Sequence, residues 1–90
     1  MMNVIEFSAV RDGENVVVNF VASRAYEKEL RELVNSVLHY FRDYEKREQH
    51  MLNWMTISVT FKGYDIAEIV NLIYDIAWLK GITVKRVIEV

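Results

Sequence analysis

The stretch DIAEIVNLIYDIAWLKG, residues 65–81, decides the fold. Asp65 suits the N-cap position of a helix, and Gly81 suits the position just past its end, where the backbone turns to a positive φ. At about 100° per residue, one face collects Ile66, Ile69, Val70, Ile73, Ile76 and Ala77. Two pairs flank that face on either side: Leu72 with Leu79, and Tyr74 with Trp78. We therefore predict a helix that covers a sheet and keeps one apolar flank for a neighbour.

The composition describes one small folded domain. Ninety residues, 52% hydrophobic and 27% charged, suffice for one compact core and exclude a disordered chain. The absence of cysteine excludes disulfides, thiolate metal sites and cysteine nucleophiles. The start, MMNVIEFSAV, lacks a basic segment followed by a long apolar run, and no stretch approaches the ~20 apolar residues of a membrane span, so we expect a cytoplasmic protein. Abundant Glu, Lys and Arg beside a single glutamine is also a usage seen in thermophiles.

Residues 3–22 predict a β-hairpin with Asp12-Gly13 at its tip. A type I′ turn needs a positive φ at both central residues, and Asp-Gly is one of the pairs that favour this conformation. A two-residue loop there opposes three apolar pairs on one face: Ala9 with Val16, Phe7 with Val18, and Ile5 with Phe20. A slip of one residue would move every side chain to the other face, so the alternation identifies the apolar face.

A first helix is predicted after Ser23, which suits its N-cap. From Tyr26 onward, apolar residues recur at spacings of three and four: Leu30, Leu33, Val34, Val37, Phe41 and Tyr44. The spacing weakens after Tyr44, so we expect a frayed end or a loop over residues 45–53.

Two further strands complete the pattern. Residues 54–62 alternate, and one face carries Met55, Ile57, Val59 and Phe61. Residues 82–90 turn Ile82, Val84, Ile88 and Val90 inward, with Arg86 among them against the pattern. The element order ββαβαβ, with one apolar face per strand, predicts an α/β (α+β) two-layer sandwich. It consists of one four-stranded mixed sheet with two helices on one face.

Two features of this fold stay open. The strand orders 1-2-3-4 and 2-1-3-4 both satisfy the right-handed crossover rule. Arg86 either reaches solvent from a bulge or a sheet edge, or it lies under the helices and pairs with an acid such as Glu68 or Asp75, or with a ligand. The second alternative requires a partner because a buried unpaired guanidinium is very costly.

The sequence contains no set of residues that indicates an enzyme. His39 and Asp43, with Asn35, form at most an open set of weak metal ligands on an exposed helix face. The serines lack a nucleophile-elbow setting, and the three glycines fit turns rather than a phosphate loop. Glu68 and Asp75 are two turns apart on a polar strip where nothing predicts the burial that shifts a pKa. We therefore predict no catalytic, cofactor-binding or metal site.

A local basic patch offers one hypothesis of function. The formal charge of −2 gives the whole chain no attraction for nucleic acid. A cluster of cations could nevertheless bind phosphates if they met on one surface: Lys80, Lys85 and Arg86, together with Lys62. We keep nucleic-acid binding as the alternative hypothesis.

Spare apolar surface offers the favoured hypothesis, a non-enzymatic interaction module that forms a homo-oligomer, most simply a dimer. One flank of the second helix should stay uncovered, and the segment before the third strand adds large side chains. The candidate interface residues are Leu72, Tyr74, Trp78, Leu79, Met51, Leu52 and Trp54. A sheet edge offers a second route, since its unpaired N–H and C=O groups can pair with another chain. A different protein partner would use the same surfaces.

Overall fold

The structure is a computed structural model that describes residues 4–88. Its elements are β1 Val4–Asp12, β2 Asn15–Ser23, a 3-10 turn Arg24–Tyr26, α1 Glu27–Leu38, β3 Tyr44–His50, β4 Trp54–Lys62, α2 Ile66–Lys80 and β5 Thr83–Arg86. Across this part of the chain, one mixed sheet and two helices form the predicted α+β sandwich. The sheet has five strands where the sequence predicted four, and the added strand is β3.

The strands lie in the order β3-β4-β2-β1-β5. Neighbouring strands are antiparallel, except that β5 runs parallel to β1. Both predicted orders were wrong, because each placed the last strand away from the free edge of β1. In the observed order the shortest described strand lies at an edge. β2 and β4 pair over nine residues each and occupy the interior, whereas β5 has four residues and takes the edge that the hairpin leaves open.

The hairpin forms, but its register differs from the predicted one. Asp12 pairs with Asn15 and Phe7 with Phe20, so the two loop residues are Gly13 and Glu14. Gly13 has a φ of 64°, and no other residue type in the described chain has a positive φ. The loop thus puts glycine at its first position, as in a type II′ turn, and spares Glu14 the positive φ that type I′ demands. The register shifts by two residues, which leaves the predicted faces unchanged.

The first helix ends earlier than predicted. It stops at Leu38, and Tyr44, predicted to be its last apolar residue, begins β3. Phe41 still enters the core, but from a turn, where its ring packs edge-on against Phe61 and Tyr64 at 4.8 and 4.7 Å. The Tyr64 hydroxyl accepts the Arg42 N–H at 3.1 Å, which holds the chain as it leaves the helix. The apolar spacing continues past the helix because Phe41 in the turn and Tyr44 in β3 fall at the same intervals of three and four residues.

The second helix and the strand before it match the prediction in full. Asp65 accepts the Ala67 N–H at the N-cap, and Gly81 ends α2 with a φ of 68°. The core lies between the helices and one face of the sheet. Its fully buried large side chains are Ile5, Phe7, Phe20, Leu30, Leu33, Met55, Ile57, Phe61, Ile69 and Ile73.

The last strand is shorter than predicted. It ends at Arg86, and Ile88, expected to point inward, is exposed, while Val90 lies outside the described residues. Arg86 is exposed on this edge strand, and its guanidinium donates to the Ala9 carbonyl at 3.5 Å. The sheet-edge alternative for Arg86 is therefore the observed one.

Candidate interaction surface

The outer side of α2 carries large apolar side chains that the fold leaves in solvent. Trp78 is 84% exposed, Leu79 81% and Tyr74 42%. Leu72, the fourth candidate on this helix, is half-buried and packs against the core. Helix α2 itself is anchored by five buried side chains, so these exposed groups stand on a rigid support. We call Tyr74, Trp78 and Leu79 the outer α2 surface.

The position of α1 decides which flank of α2 stays free. A groove between the helices is lined by Tyr40 and Phe41, just beyond α1, and by Leu72 and Asp75 of α2. On the other flank, the Tyr74 ring meets the Phe7 ring of β1 edge-on at 5.6 Å. The turn just beyond α1 thus borders the flank at Leu72, and the flank of Tyr74 and Trp78 faces away from it. Leu79 lies two turns farther along the Leu72 flank, past the groove, and stays exposed.

The other candidate residues lie on the turn between β3 and β4. Leu52 is 90% exposed, and Met51 and Trp54 are about half exposed. The turn is tied to the 3-10 turn that precedes α1, because the Arg24 N–H donates to the Asn53 carbonyl at 3.0 Å. Trp54 pairs with Ser23 and borders a cavity on the face of the sheet opposite the helices. These residues therefore form a second exposed group, on different elements from the outer α2 surface.

One edge of the sheet is shielded by charge. All seven residues of β3 are exposed, and most are ionisable. Arg31 of α1 donates to Glu48 at 2.7 Å and to Glu27 at 3.1 Å, which ties the helix to this edge. The Arg31 hydrogen bond lowers the pKa of the Glu48 carboxyl, with smaller help from His50. The hydrogen bonds from Arg31 to Glu48 and to Glu27 raise the pKa of Arg31. Charged side chains of this kind oppose pairing with another strand.

The opposite edge offers little backbone for pairing. Strand β5 has four residues, and the Val87 N–H, just after it, still donates to the Phe7 carbonyl at 2.7 Å. Because alternate residues of a strand point their backbone groups to opposite sides, only Val84 and Arg86 of β5 present theirs outward. The backbone groups of two residues offer a second chain few hydrogen bonds for strand pairing. Neither edge is thus a strong route to self-association.

The four cations of the alternative hypothesis lie on different parts of the fold. Lys62 ends β4 and pairs with Glu45 at 3.1 Å, and two strands separate β4 from β5. Lys85 is opposite Glu6 on β1, and its neighbour Arg86 points to the other face of the sheet. Lys80 ends α2. The structure does not bring these four side chains onto one surface.

Polar side chains gather on the open face of the sheet. A trough of about 550 Å³ on the open sheet face lies between β2, β3 and β4. On its floor the Ser58 hydroxyl donates to the Asn19 amide oxygen at 2.5 Å, so this serine has an amide partner instead of a base. Across residues 4–88, no three histidine or acidic side chains converge on a possible metal position. His39 stacks edge-on against Tyr40 at 5.7 Å. Neither described helix is long and apolar enough to cross a bilayer.

Ile88 is the most exposed of the described apolar residues that sequence reasoning missed, and Tyr40 is another. Ile88 is 80% exposed, because the alternation that placed it inward ends with the strand at Arg86. Arg86 interrupts the apolar alternation at that end, but the alternation resumes at Ile88 and Val90 and hides the signal. The sequence matches no protein-family model and none of the curated proteins, so its function has to be argued from the surface just described.

Proposed function

We propose that this protein is a non-enzymatic self-association module that joins a second copy of itself through the outer α2 surface. The exposure of Trp78 and Leu79 in the last turn of α2 carries the proposal, because large exposed apolar area on a rigid element marks an interaction site. An aromatic anchor on a helix also loses little conformational freedom when it is covered.

The competing surfaces support it less. The β3–β4 turn presents its apolar groups on a short connection, where ordering costs more than on a helix. The charged β3 edge and the four-residue β5 edge are poor templates for strand pairing. Nucleic-acid binding lacks a shared surface for its four cations.

The area involved sets the expected strength. Tyr74, Trp78 and Leu79 together expose about 450 Å² per copy, taking aromatic side chains at roughly 150–250 Å² each. A specific interface needs at least about 600 Å² from each partner, so these three residues supply most of a small one. We expect a dimer with a dissociation constant in the micromolar range.

Light scattering after size exclusion tests the proposal, on protein diluted from near-millimolar to low-micromolar concentration. We expect a dimer that dissociates on dilution. Trp78→Glu and Leu79→Glu should be monomers with an unchanged circular-dichroism spectrum, because each puts a charge into the interface. The matched control is Leu52→Glu, which alters an equally exposed leucine on the β3–β4 turn and should still dimerise. A wild-type monomer throughout, or α2 variants that still associate, would refute the proposal.

A further inference from the structure

We infer that the open face of the sheet binds a small phosphate ester of a polyhydroxylated molecule, the chemical class of a sugar phosphate. The basis is the trough of about 550 Å³ between β2, β3 and β4. This inference goes beyond the proposed self-association and does not depend on it. The helices pack on the other face of the sheet, so a ligand in the trough leaves the outer α2 surface free.

The floor of the trough is made of short uncharged side chains. Thr56, Ser58 and Thr60 follow one another on the open face of β4, and Val17 and Asn19 lie beside them on β2. Longer side chains of β3 rise next to this floor and form a wall. The floor therefore offers hydroxyl and amide groups to a polar ligand.

Arg47, on the β3 wall, supplies the positive charge of the site. The two carboxylates that also line the trough are already paired, Glu45 with Lys62 at 3.1 Å and Glu48 with Arg31 at 2.7 Å. Within residues 4–88, no carboxylate forms an ion pair with Arg47. Its charge is thus left for a ligand, and the planar guanidinium matches two oxygens of a phosphate group.

Asn19 adds hydrogen-bond donors to the floor. The Ser58 hydroxyl donates to the Asn19 amide oxygen at 2.5 Å, which occupies that acceptor and fixes the orientation of the amide. No described residue accepts a hydrogen bond from the amide N–H groups of Asn19. Ser58 is the cross-strand partner of both Asn19 and Arg47, so the amide and the guanidinium flank the same hydroxyl. Donors gathered in this way suit a phosphate group, whose oxygens accept.

The dimensions of the trough favour an ester over a bare anion. With strands about 4.8 Å apart and a rise of about 3.4 Å per residue, the floor measures roughly 10 Å from β3 to β2 and roughly 14 Å from Thr56 to Thr60. A phosphate group beside Arg47 occupies part of this space. The hydroxyls of Thr56 and Thr60 lie on either side along β4, where each can both donate to and accept from a sugar hydroxyl.

The charges of this face disfavour a nucleic acid as the ligand. A nucleic-acid strand is held by several cations along its backbone. Besides Arg47, the open face of the described strands carries Lys62 and Lys85, and both stand next to an acid. Lys62 is paired with Glu45, and Lys85 is the cross-strand neighbour of Glu6. One uncompensated cation is enough for a single phosphate group but not for a chain of them.

An NMR titration of the full chain with glucose 6-phosphate tests the inference. We expect the amide signals of Arg47, Thr56, Ser58 and Thr60 to shift and to saturate at millimolar ligand. Glucose should cause no saturable shift, because it lacks the charged group. Inorganic phosphate should bind roughly tenfold more weakly than the ester, because it makes no contact with the threonine hydroxyls at the two ends.

Substitutions on β3 identify the charge that matters. Arg47→Gln should weaken binding about tenfold or more, because it removes charge-assisted hydrogen bonds, and Arg47→Lys should lose less. The matched control is Lys46→Gln, which removes a cation from the next residue of the strand. Lys46 is opposite Val59, whose buried side chain marks the helix face, so this variant should bind like wild type. All residues of β3 are exposed, so each variant should keep the fold.

Each other result overturns the inference in a defined way. If glucose 6-phosphate causes no saturable shift at the trough, the site does not exist. If inorganic phosphate binds as tightly, the site takes a bare anion and the ester is wrong. Tighter binding of a single-stranded oligonucleotide would assign the face to nucleic acid. Equal losses in Arg47→Gln and Lys46→Gln would indicate attraction without a site. Trp78→Glu should bind glucose 6-phosphate like wild type, so a failure of the proposed self-association is seen separately.

Discussion

Tyr64→Phe should loosen the connection between α1 and β3 without disturbing the core. The Tyr64 hydroxyl accepts the Arg42 N–H at 3.1 Å and lies 3.5 Å from the Asp43 nitrogen. Phenylalanine keeps the ring contact with Phe41 and removes only the acceptor. A hydrogen bond of this kind contributes about 0.5–1.5 kcal/mol. Because both N–H groups are exposed, water can replace the hydroxyl, and we expect about 0.5–1 kcal/mol, or a melting temperature lower by about 2–8 °C.

Urea denaturation gives the free energy of unfolding, and hydrogen exchange reports the Arg42 amide directly. The matched control is Tyr40→Phe. The Tyr40 ring is 66% exposed, so this substitution should change the free energy of unfolding by less than about 0.5 kcal/mol. Faster exchange at Arg42 should accompany the loss of stability in Tyr64→Phe alone. Equal stabilities of the two variants, with unchanged exchange at Arg42, would refute this account of how β3 is held.

Three further predictions concern stability and are measured by thermal or urea denaturation. Glu48→Gln should destabilise the protein at neutral pH. The pKa of the Glu48 carboxyl is lowered in the folded state, so the carboxylate stabilises the fold at pH values above the ordinary carboxyl pKa of about 4.3. This stabilisation is lost as the pH falls through the lower pKa of the folded state. The free energies of unfolding of wild type and variant should therefore converge in acid. Gly81→Ala should cost about 1 kcal/mol from its positive φ alone, since a Cβ there meets nothing within 4 Å, and Gly81→Asn should cost less. Phe61→Ala should cost about 3–5 kcal/mol, because this fully buried ring also packs on Phe41. A Phe61→Ala variant as stable as wild type would contradict the described core.

Sequence reasoning succeeded where one segment carries its own signals. Helix α2 has a cap at each end and an apolar face between them, and β4 alternates without interruption. These patterns depend on local geometry, so no knowledge of the rest of the fold was needed.

Strand β3 escaped prediction because none of its residues is buried. The segment YEKREQH joins the sheet through backbone pairing with β4, and backbone groups leave no trace in the side-chain pattern. Seven exposed polar residues therefore resemble a loop. The strand order escaped for a related reason, since it depends on which edge of the hairpin each later strand occupies.

From the sequence, the candidate surface on α2 was predictable only as two alternative flanks of the helix. The sequence shows that α2 is apolar on two flanks, but only the position of α1 reveals that Leu72 is covered and that Trp78 is free. Lys80, Lys85 and Arg86 are close along the chain, but Lys62 stands apart from Lys85 and Arg86 in the fold because β4 and β5 are not neighbours.

The parallel pairing of β1 with β5 joins residues that are far apart along the chain. Residues 4–7 cannot meet residues 83–86 until nearly the whole chain has been arranged between them, so this contact carries a large loop-closure cost. The hairpin and β4 pair over long registers and can form a stable sheet before β5 docks. We therefore expect the amides of β5 to exchange with solvent by local opening, well before those of the central strand β2, whose slowest amides should report global unfolding.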